Sequence, residues 1–494
     1  VVQQNIGYFN AINRTTNMRE KLLKDVFAST AQIFTNHAAS LVIFLITSAY
    51  LVKNVYGELN WFMAIFTVII ALLSFGMEPI IVKKLAAGED IKESAGLFIL
   101  HTLLTGLVFT IAMLLLFNFT PSAFGLNSSF ILLGISFLLT YLASPFKQLA
   151  NGRQWFYYLA VMSTISNVLR AACLVLLVLT NSFSLHMVLV VFAFTSFIEL
   201  LLSAWLMIKK TGFELFQFSW NREKYFSLVK ESMPLLGVTI FNTSLARFDW
   251  IFLGVMTTNL ITADYSFTYR VYEICTMPLY IIGPLLLPRF ANLFAQKNQN
   301  DLREKNEYFF ALLKMEIIMA SLIGLVLNLA WAPLIDSITG NKYGAANVNT
   351  IFILSWSMPF LYVTNFLWTI NFAQGRLKLI LGIITIAFCI NIIGNITLIP
   401  LLQGAGAAIA FLIAIAVQTI IYMKRTEFPG LSKIWLPLLI CPASAYLSGK
   451  LAMIVTSEYW LTIPLAILLF TGLLIISRQI VIKDWWLFKT ALGV

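Results

Sequence analysis

Residues 242–273 read NTSLARFDWIFLGVMTTNLITADYSFTYRVYE. Two apolar runs flank a short turn and carry Arg247, Asp249, Arg270 and Glu273. A charge at the centre of a membrane-crossing helix costs about 2.5–3.5 kcal/mol on insertion scales, so such groups usually face a bundle interior or a watery cavity. The plainer alternative is that Arg247–Asp249 and Arg270–Glu273 neutralise each other and hold helices together. Two residues apart on a helix, Arg247 and Asp249 point in different directions, whereas Arg270 and Glu273, three apart, can pair.

The rest of the chain fixes the setting. Of 494 residues, 60% are hydrophobic and only 11% charged, where soluble domains carry about 25% charged residues. The composition is that of an all-α polytopic membrane protein. Net charge is +11. In a soluble protein that balance would suggest nucleic acid; here it is the lysine and arginine of cytoplasmic loops, and no nucleic-acid partner is expected. Cys173, Cys275, Cys389 and Cys441 lie in apolar runs without pairing or metal-ligand spacing, so neither disulfides nor a metal site is expected.

About 20 apolar helical residues cross a bilayer core. Fourteen such runs follow one another, at 25–51, 59–82, 94–118, 129–151, 155–180, 183–208, 228–256, 261–295, 306–332, 346–373, 377–400, 404–423, 433–455 and 459–482. The eighth is longer than one span needs and is expected to bend or to extend beyond the membrane. Positive charge alternates with the connections. The even ones carry Lys83/Lys84/Lys92, Lys147/Arg153, Lys209/Lys210/Arg222/Lys224, Arg289/Lys297/Arg303/Lys305, Arg376/Lys378 and Lys424/Arg425/Lys433; the odd ones carry little beyond Lys53 and Lys342. The positive-inside rule therefore places both termini in the cytoplasm. Residues 1–17 are polar, lack a signal-peptide core and read as an upstream extension before Met18.

This gives a cytoplasmic segment 1–24, a first six-helix bundle 25–208 and an amphipathic linker 209–227. A second six-helix bundle 228–423 and two further helices with a tail, 424–494, complete the chain. The stretches VYGELNWFMAIFTVIIALLSFGMEPIIVKKLA and ITADYSFTYRVYEICTMPLYIIGPLLLPRFANLF resemble each other weakly, each with Gly and Pro before a basic inner end. Six spans per half makes them parallel repeats, with a site expected where the repeats meet. Gly76–Pro79 and Gly283–Pro284 are places where helices can bend.

Cations at depth on several spans point to a site for an anion. Arg170 on span 5, Arg247 on span 7, Arg270 on span 8 and Lys314 on span 9 read as a cationic lumen. A diphosphate-linked lipid suits it, because guanidinium binds phosphate bidentately. Asn36 and His37 in span 1 and Asn242 in span 7 are polar neighbours of that cavity. Asp249, Glu273 and Glu199 are candidate ion-coupling residues for H⁺ or Na⁺, and Glu316 balances charge. For Lys314, Glu316 and Glu199 the alternative is interhelical packing or interfacial anchoring. Glu78 is expected to pair with Lys83 or Lys84, and His101 to be a hydrogen-bonded core residue. No P-loop, HExxH or GxSxG occurs, no cofactor is implied, and the short outer loops disfavour a membrane glycosyltransferase or polymerase. The chain does not read as an enzyme.

Three stretches carry a family likeness: YGELNWFMAIFTVIIALLSFGMEPIIVKKLA, the ESMPLLG…RFDWIFLGVM…ADYSFTYRVYE…LLLPRF block, and QGRLKLILGIITIAFCINIIGNITLIPLLQGAGAAIA. They resemble the Wzx-like polysaccharide flippases, for O-antigen and capsule, of the multidrug/oligosaccharidyl-lipid/polysaccharide (MOP) exporter superfamily. The resemblance implies two six-helix bundles forming a V-shaped central cavity, with two extra C-terminal helices. It also implies alternating access that carries an undecaprenyl-diphosphate-linked oligosaccharide to the outer leaflet of the bacterial inner membrane, coupled to an ion gradient, with polymerase or assembly proteins as partners. Arg247 and Asp249 match the family's charged span 7, and Arg270 and Glu273 its polar span 8. A lipid II flippase and a multidrug-type H⁺- or Na⁺-coupled small-molecule exporter are the alternatives; the deep arginines argue against the latter. Span 2 departs from the family, since Glu78 is the only charge on its buried side.

The charge alternation is tested by alkaline phosphatase fusions. Fusions after Ser182, Thr258 and Lys342 should be active, those after Thr211 and Arg425 inactive, and activity at Thr211 would overturn the topology.

Overall fold

The computed structural model describes residues 32, 34–119, 130–212, 221–279, 286–287, 290, 294, 299–428, 430–456 and 458–481. They are helical, with no strand among the described residues. In chain order the helices are α1 Phe34–Tyr50, α2 Lys53–Leu73, α3 Met77–Ala86, α4 Ile91–Phe119, α5 Phe130–Gly152, α6 Phe156–Leu179 and α7 Leu185–Thr211. Then come α8 Arg222–Met256, α9 Asn259–Cys275, α10 Gln299–Thr339, α11 Val348–Ala373, α12 Leu377–Arg425, α13 Trp435–Val455 and α14 Tyr459–Ile476. Ten helical stretches among the described residues are long and apolar enough to cross a membrane. Helix is the form that satisfies every backbone polar group without water. Outward faces stay apolar, as at Leu107, Val108 and Ile111 of α4 and Phe194, Phe197 and Leu201 of α7.

Where they fall on described residues, the runs read from the sequence correspond to these helices, with α9 covering only the first part of the eighth run, and with two refinements. The second run is α2 plus α3. The eleventh and twelfth are the two limbs of α12, which reverses at Gln403 (φ 53°, ψ −127°). Small residues let the limbs close: a Cβ on Gly394 would stand 2.8 Å from that of Ala410, and one on Gly406 2.3 Å from the Leu398 carbonyl oxygen. The turns into α7 and α9 are capped by Ser184, which accepts from the Met187 N–H, and Thr258, which accepts from the Ile261 N–H. The linker's core, 213–220, the first part of span 1 and Gly283–Pro284 lie outside the described residues.

The chain divides into two compact units. The first comprises residues 1–51 and 66–240, the second 52–65 and 241–494. Helices α2 and α8 each contribute to both. In the first unit, α3, α4 and α5 meet in a core of Met77, Ile81, Leu85, Phe98, Leu149 and Ala150, joined by Met162 of α6 and Met207 of α7. In the second, Phe267 of α9 stacks on Tyr343 at 4.2 Å. The 340–344 turn is held there by Trp331, whose indole donates to the Gly344 carbonyl, and by Asp336, which accepts from the N–H groups of Gly344 and Ala345.

The break between α2 and α3 has an identifiable cause. Phe75 and Gly76 take left-handed φ values of 56° and 66°. The Leu73 carbonyl accepts from Tyr141 Oη at 2.9 Å and from His101 Nε2 at 2.9 Å. With Nε2 donating, His101 Nδ1 accepts from Tyr225 Oη at 3.0 Å. The histidine is thus a structural clamp from α4 on a freed backbone group. Glu78, just beyond the break, accepts from Gln148 of α5. It does not pair with Lys83 or Lys84, because both lysines turn to Glu231, and Lys84 also to Glu89.

Gly76 fits only as glycine. A Cβ there would lie 2.4 Å from the Leu236 backbone nitrogen. Gly76→Ala should destabilise the detergent-solubilised protein by about 2–3 kcal/mol, from strain and overpacking together. Gly382, with nothing within 4 Å of its Cβ position, is the control: Gly382→Ala should be neutral or stabilising by up to about 1 kcal/mol. Thermal unfolding of both variants checks the contrast.

Candidate functional site

Helices α8 and α9 form a hairpin in the second unit, and their charges meet across it. Arg247 Nη1 donates to Glu273 Oε1 at 3.0 Å, and Arg270 Nη1 to Glu273 Oε2 at 2.9 Å. One carboxylate is shared by two guanidiniums. Both also lie over the indole of Trp250, at 4.7 Å and 5.8 Å from its ring. Arg247 and Trp250 are three residues apart on α8, so the ring sits on the arginine's own face. Trp250 is fixed edge-on by Tyr269 of α9. Arg247 is 15% exposed, Glu273 26% and Arg270 34%. Two guanidiniums share one carboxylate in a cluster reachable from outside, which is what binding an anion requires.

Asp249 points elsewhere. It is fully buried. Its Oδ2 accepts from Tyr265 Oη at 2.7 Å and its Oδ1 from Asn395 Nδ2 at 2.6 Å. Asn395 Nδ2 also reaches Asn391 Oδ1 at 3.0 Å. Asn395 Oδ1 and Asn391 Nδ2 are buried without a hydrogen-bond partner. Two carboxamides one helical turn apart on α12 thus converge on one carboxyl group and leave polar capacity unspent. Buried polar atoms without partners are uncommon in native structures.

The first unit holds a second polar seam. Arg170 of α6 donates through Nε to Thr195 Oγ1 at 3.0 Å and through Nη2 to Ser196 Oγ at 2.9 Å, and its guanidinium lies 4.7 Å from the Phe192 ring. Its partners on α7 are hydroxyls, and Ser196 is bonded in turn to Ser136 and Thr140 of α5. Glu199 is buried, pairs with Lys147 and accepts from Ser166 Oγ at 2.9 Å. Asn36 of α1 accepts from Asn167 Nδ2 at 3.1 Å. Asn167 and Arg170 share a face of α6.

The structure therefore gathers Arg247, Arg270 and Glu273 in one cluster, sets Asp249 in a separate one, and places Arg170, Glu199 and Asn36 in the first unit with the half-buried His37. Lys314 and Glu316 are buried on α10. Neither oxygen of Glu316 has a hydrogen-bond partner among the described residues. Asn242 is exposed, and no hydrogen bond is seen for its side chain among the described residues. Sequence reasoning overlooked Trp250, Tyr265, Asn391 and Asn395. The signal for the asparagines was available: two carboxamides at i, i+4 spacing in an otherwise apolar span.

Removing the Asp249 carboxyl strands two buried donors. Asp249→Ala should cost about 1–3 kcal/mol for each donor left unpaired. Asn242→Ala should stay within about 0.5 kcal/mol of the parent. Thermal unfolding in detergent separates the two, and an equal effect would refute the assigned geometry.

The chain is similar to known proteins. The family described as "Polysaccharide biosynthesis protein" matches residues 22–294, just over half of the chain. No curated protein matches by sequence. Among solved structures, the lipid II flippase MurJ in an inward closed conformation is similar with a TM-score of 0.71 at 14% identity, covering 92% of this chain and 99% of its own. An inward-facing multidrug resistance MATE family transporter of the MOP superfamily is similar with a TM-score of 0.62 at 15% identity, covering 81% and 96%. The bent form of the Vibrio cholerae MATE transporter VcmN gives 0.55 at 14% identity, covering 86% and 98%. These identities speak for the fold alone. The chain therefore belongs to the polysaccharide biosynthesis protein family, and it is a multi-pass membrane protein with the fold of MOP-superfamily transporters.

Proposed function

We propose that the protein is a flippase that moves an undecaprenyl-diphosphate-linked oligosaccharide repeat unit from the cytoplasmic to the outer leaflet of the bacterial inner membrane by alternating access. The observation that carries this reading is the pair of half-buried guanidiniums, Arg247 and Arg270, sharing the single carboxylate of Glu273 over Trp250. A guanidinium has five donors, and Arg270 directs one nitrogen, Nη1, to Glu273. A diphosphate can take up the remainder with bidentate, charge-assisted hydrogen bonds. Within the first unit, Arg170 is a separate guanidinium, hydrogen-bonded to the hydroxyls of Thr195 and Ser196. A small-cation exporter has no use for this excess of positive charge.

Asp249 is the proposed coupling residue. Its carboxyl, the unspent oxygen of Asn395 and the oxygen of Asn391 form a set that can take up a proton or a sodium ion. Glu199 is a second candidate, held by Lys147 and Ser166. Glu273 is committed to the two arginines and serves the anion instead.

The test is leaflet transfer in proteoliposomes, with an undecaprenyl-diphosphate-linked repeat unit and lipid II assayed side by side. The double variant Arg247→Gln/Arg270→Gln should slow transfer about tenfold or more, since each lost charge-assisted hydrogen bond is worth about 1.5–3 kcal/mol. Asp249→Asn should abolish the response to an imposed H⁺ or Na⁺ gradient. Transfer by the double variant at the parent rate would overturn the anion-site reading. Transfer of lipid II alone would reassign the substrate.

A further inference from the structure

The geometry points to a seat for an anionic phospholipid of the surrounding bilayer on the second unit, between α10, α11 and α13. A cavity of about 340 Å³ opens there. Its walls are apolar, with Leu325 on α10, Phe352 and Trp356 on α11 and Met453 on α13. Gly449 keeps it open: a Cβ at that position would come within 3.1 Å of Leu325 Cδ1. Asn328, a polar side chain on the wall, donates its amide hydrogens to the Gly324 carbonyl and Ser355 Oγ. The amide hydrogens of Asn328 on this wall are therefore already satisfied.

Dimensions and charge select the occupant. The groove follows α11 from Val348 to Pro359 and α13 from Met453 back to Pro442. Eleven residues of helix rise about 16 Å, close to half the hydrocarbon thickness of a bilayer of about 30 Å. One acyl chain of a lipid in a single leaflet fits that length. An undecaprenyl chain is several times longer. At the rim stands Lys450, exposed, five residues before α13 ends at Val455. Its ammonium lies 5.8 Å from the Tyr446 ring and pairs with no carboxylate among the described residues. A lysine near a helix end carries its charge to the interface along its apolar stem. A phosphodiester headgroup above the groove neutralises it. This seat does not depend on what the protein transports.

The experiment counts retained lipid. Full-length protein is reconstituted in vesicles of phosphatidylglycerol and phosphatidylcholine in equal parts, extracted gently and analysed by native mass spectrometry. The parent should retain phosphatidylglycerol in preference. Lys450→Gln should cut that preference about fivefold, the worth of one lysine at an anionic surface. Gly449→Leu, which fills the groove, should lose the bound lipid. Because Lys450→Gln removes a charge and no packing, the outcome does not hinge on how the filled groove folds. Equal retention of the two lipids by the parent, an unchanged preference in Lys450→Gln, or displacement of phosphatidylglycerol by undecaprenyl phosphate at equal mole fraction would each overturn the proposal.

Discussion

One carboxylate shared by two guanidiniums governs the α8–α9 hairpin. Charges inside a membrane span are tolerated when they find partners away from lipid. Glu273 supplies that partner twice, once to Arg270 on its own helix and once to Arg247 across the turn. The contact fixes how the two helices are rotated about their axes, because both arginines must also reach the face of Trp250. Tyr269 packs against that indole, Tyr265 stacks on Tyr269, and Tyr265 binds Asp249. A single rotation of α8 relative to α9 therefore sets both the arginine cluster and the carboxyl site.

The same demand for polar satisfaction shapes the first unit. Breaking α2 at Ser74–Gly76 frees a backbone carbonyl that lipid cannot serve. His101 and Tyr141 serve it, and Tyr225 holds the histidine. In the same unit Arg170 is held by hydroxyl groups of α7, and Glu199 by Lys147 of α5 and the Ser166 hydroxyl of α6. A carboxylate and a guanidinium stay half-buried or buried there because serine and threonine are small enough to let helices approach and polar enough to bond them.

Much of this was legible in the sequence, and the part that was not has a physical reason. Runs of apolar residues separated by charged or glycine-containing turns mark helices, because a spanning helix needs length and low charge and little else. Arg270–Glu273 was readable as a local pair, and Arg247–Asp249 as a pair that helical geometry forbids. What Arg247 binds instead could not be read, since Glu273 lies 26 residues away across a turn. Asn395 lies 146 residues from Asp249. Glu78 shows the same limit: nearby lysines suggested themselves, yet its partner Gln148 comes from a helix 70 residues on. Local spacing decides which groups face the same way on one helix. Which helix they face is a property of packing.

That distinction bears on how an anion carrier can respond to a cation. Arg247 and Asp249 are two residues apart on α8, about 200° of helical rotation. They present opposite charges to different partners: Glu273 for Arg247, and Tyr265 and Asn395 for Asp249. Arg247 shares Glu273 of α9, while Asp249 bonds Asn395 of α12 and the hydroxyl of Tyr265, also of α9. Under the proposed function, loading of Asp249 by an ion changes what α12 and Tyr265 hold. Tyr265 is joined to the arginine cluster through Tyr269 and Trp250. A change at the carboxyl site is thereby transmitted to the guanidiniums by side chains in direct contact, with no need for motion through the lipid-facing surface. Transmission of this kind needs an element with two arrangements that both ligands bias differently. The α8–α9 hairpin, whose register rests on charged contacts and stacked rings, is the element placed to provide them.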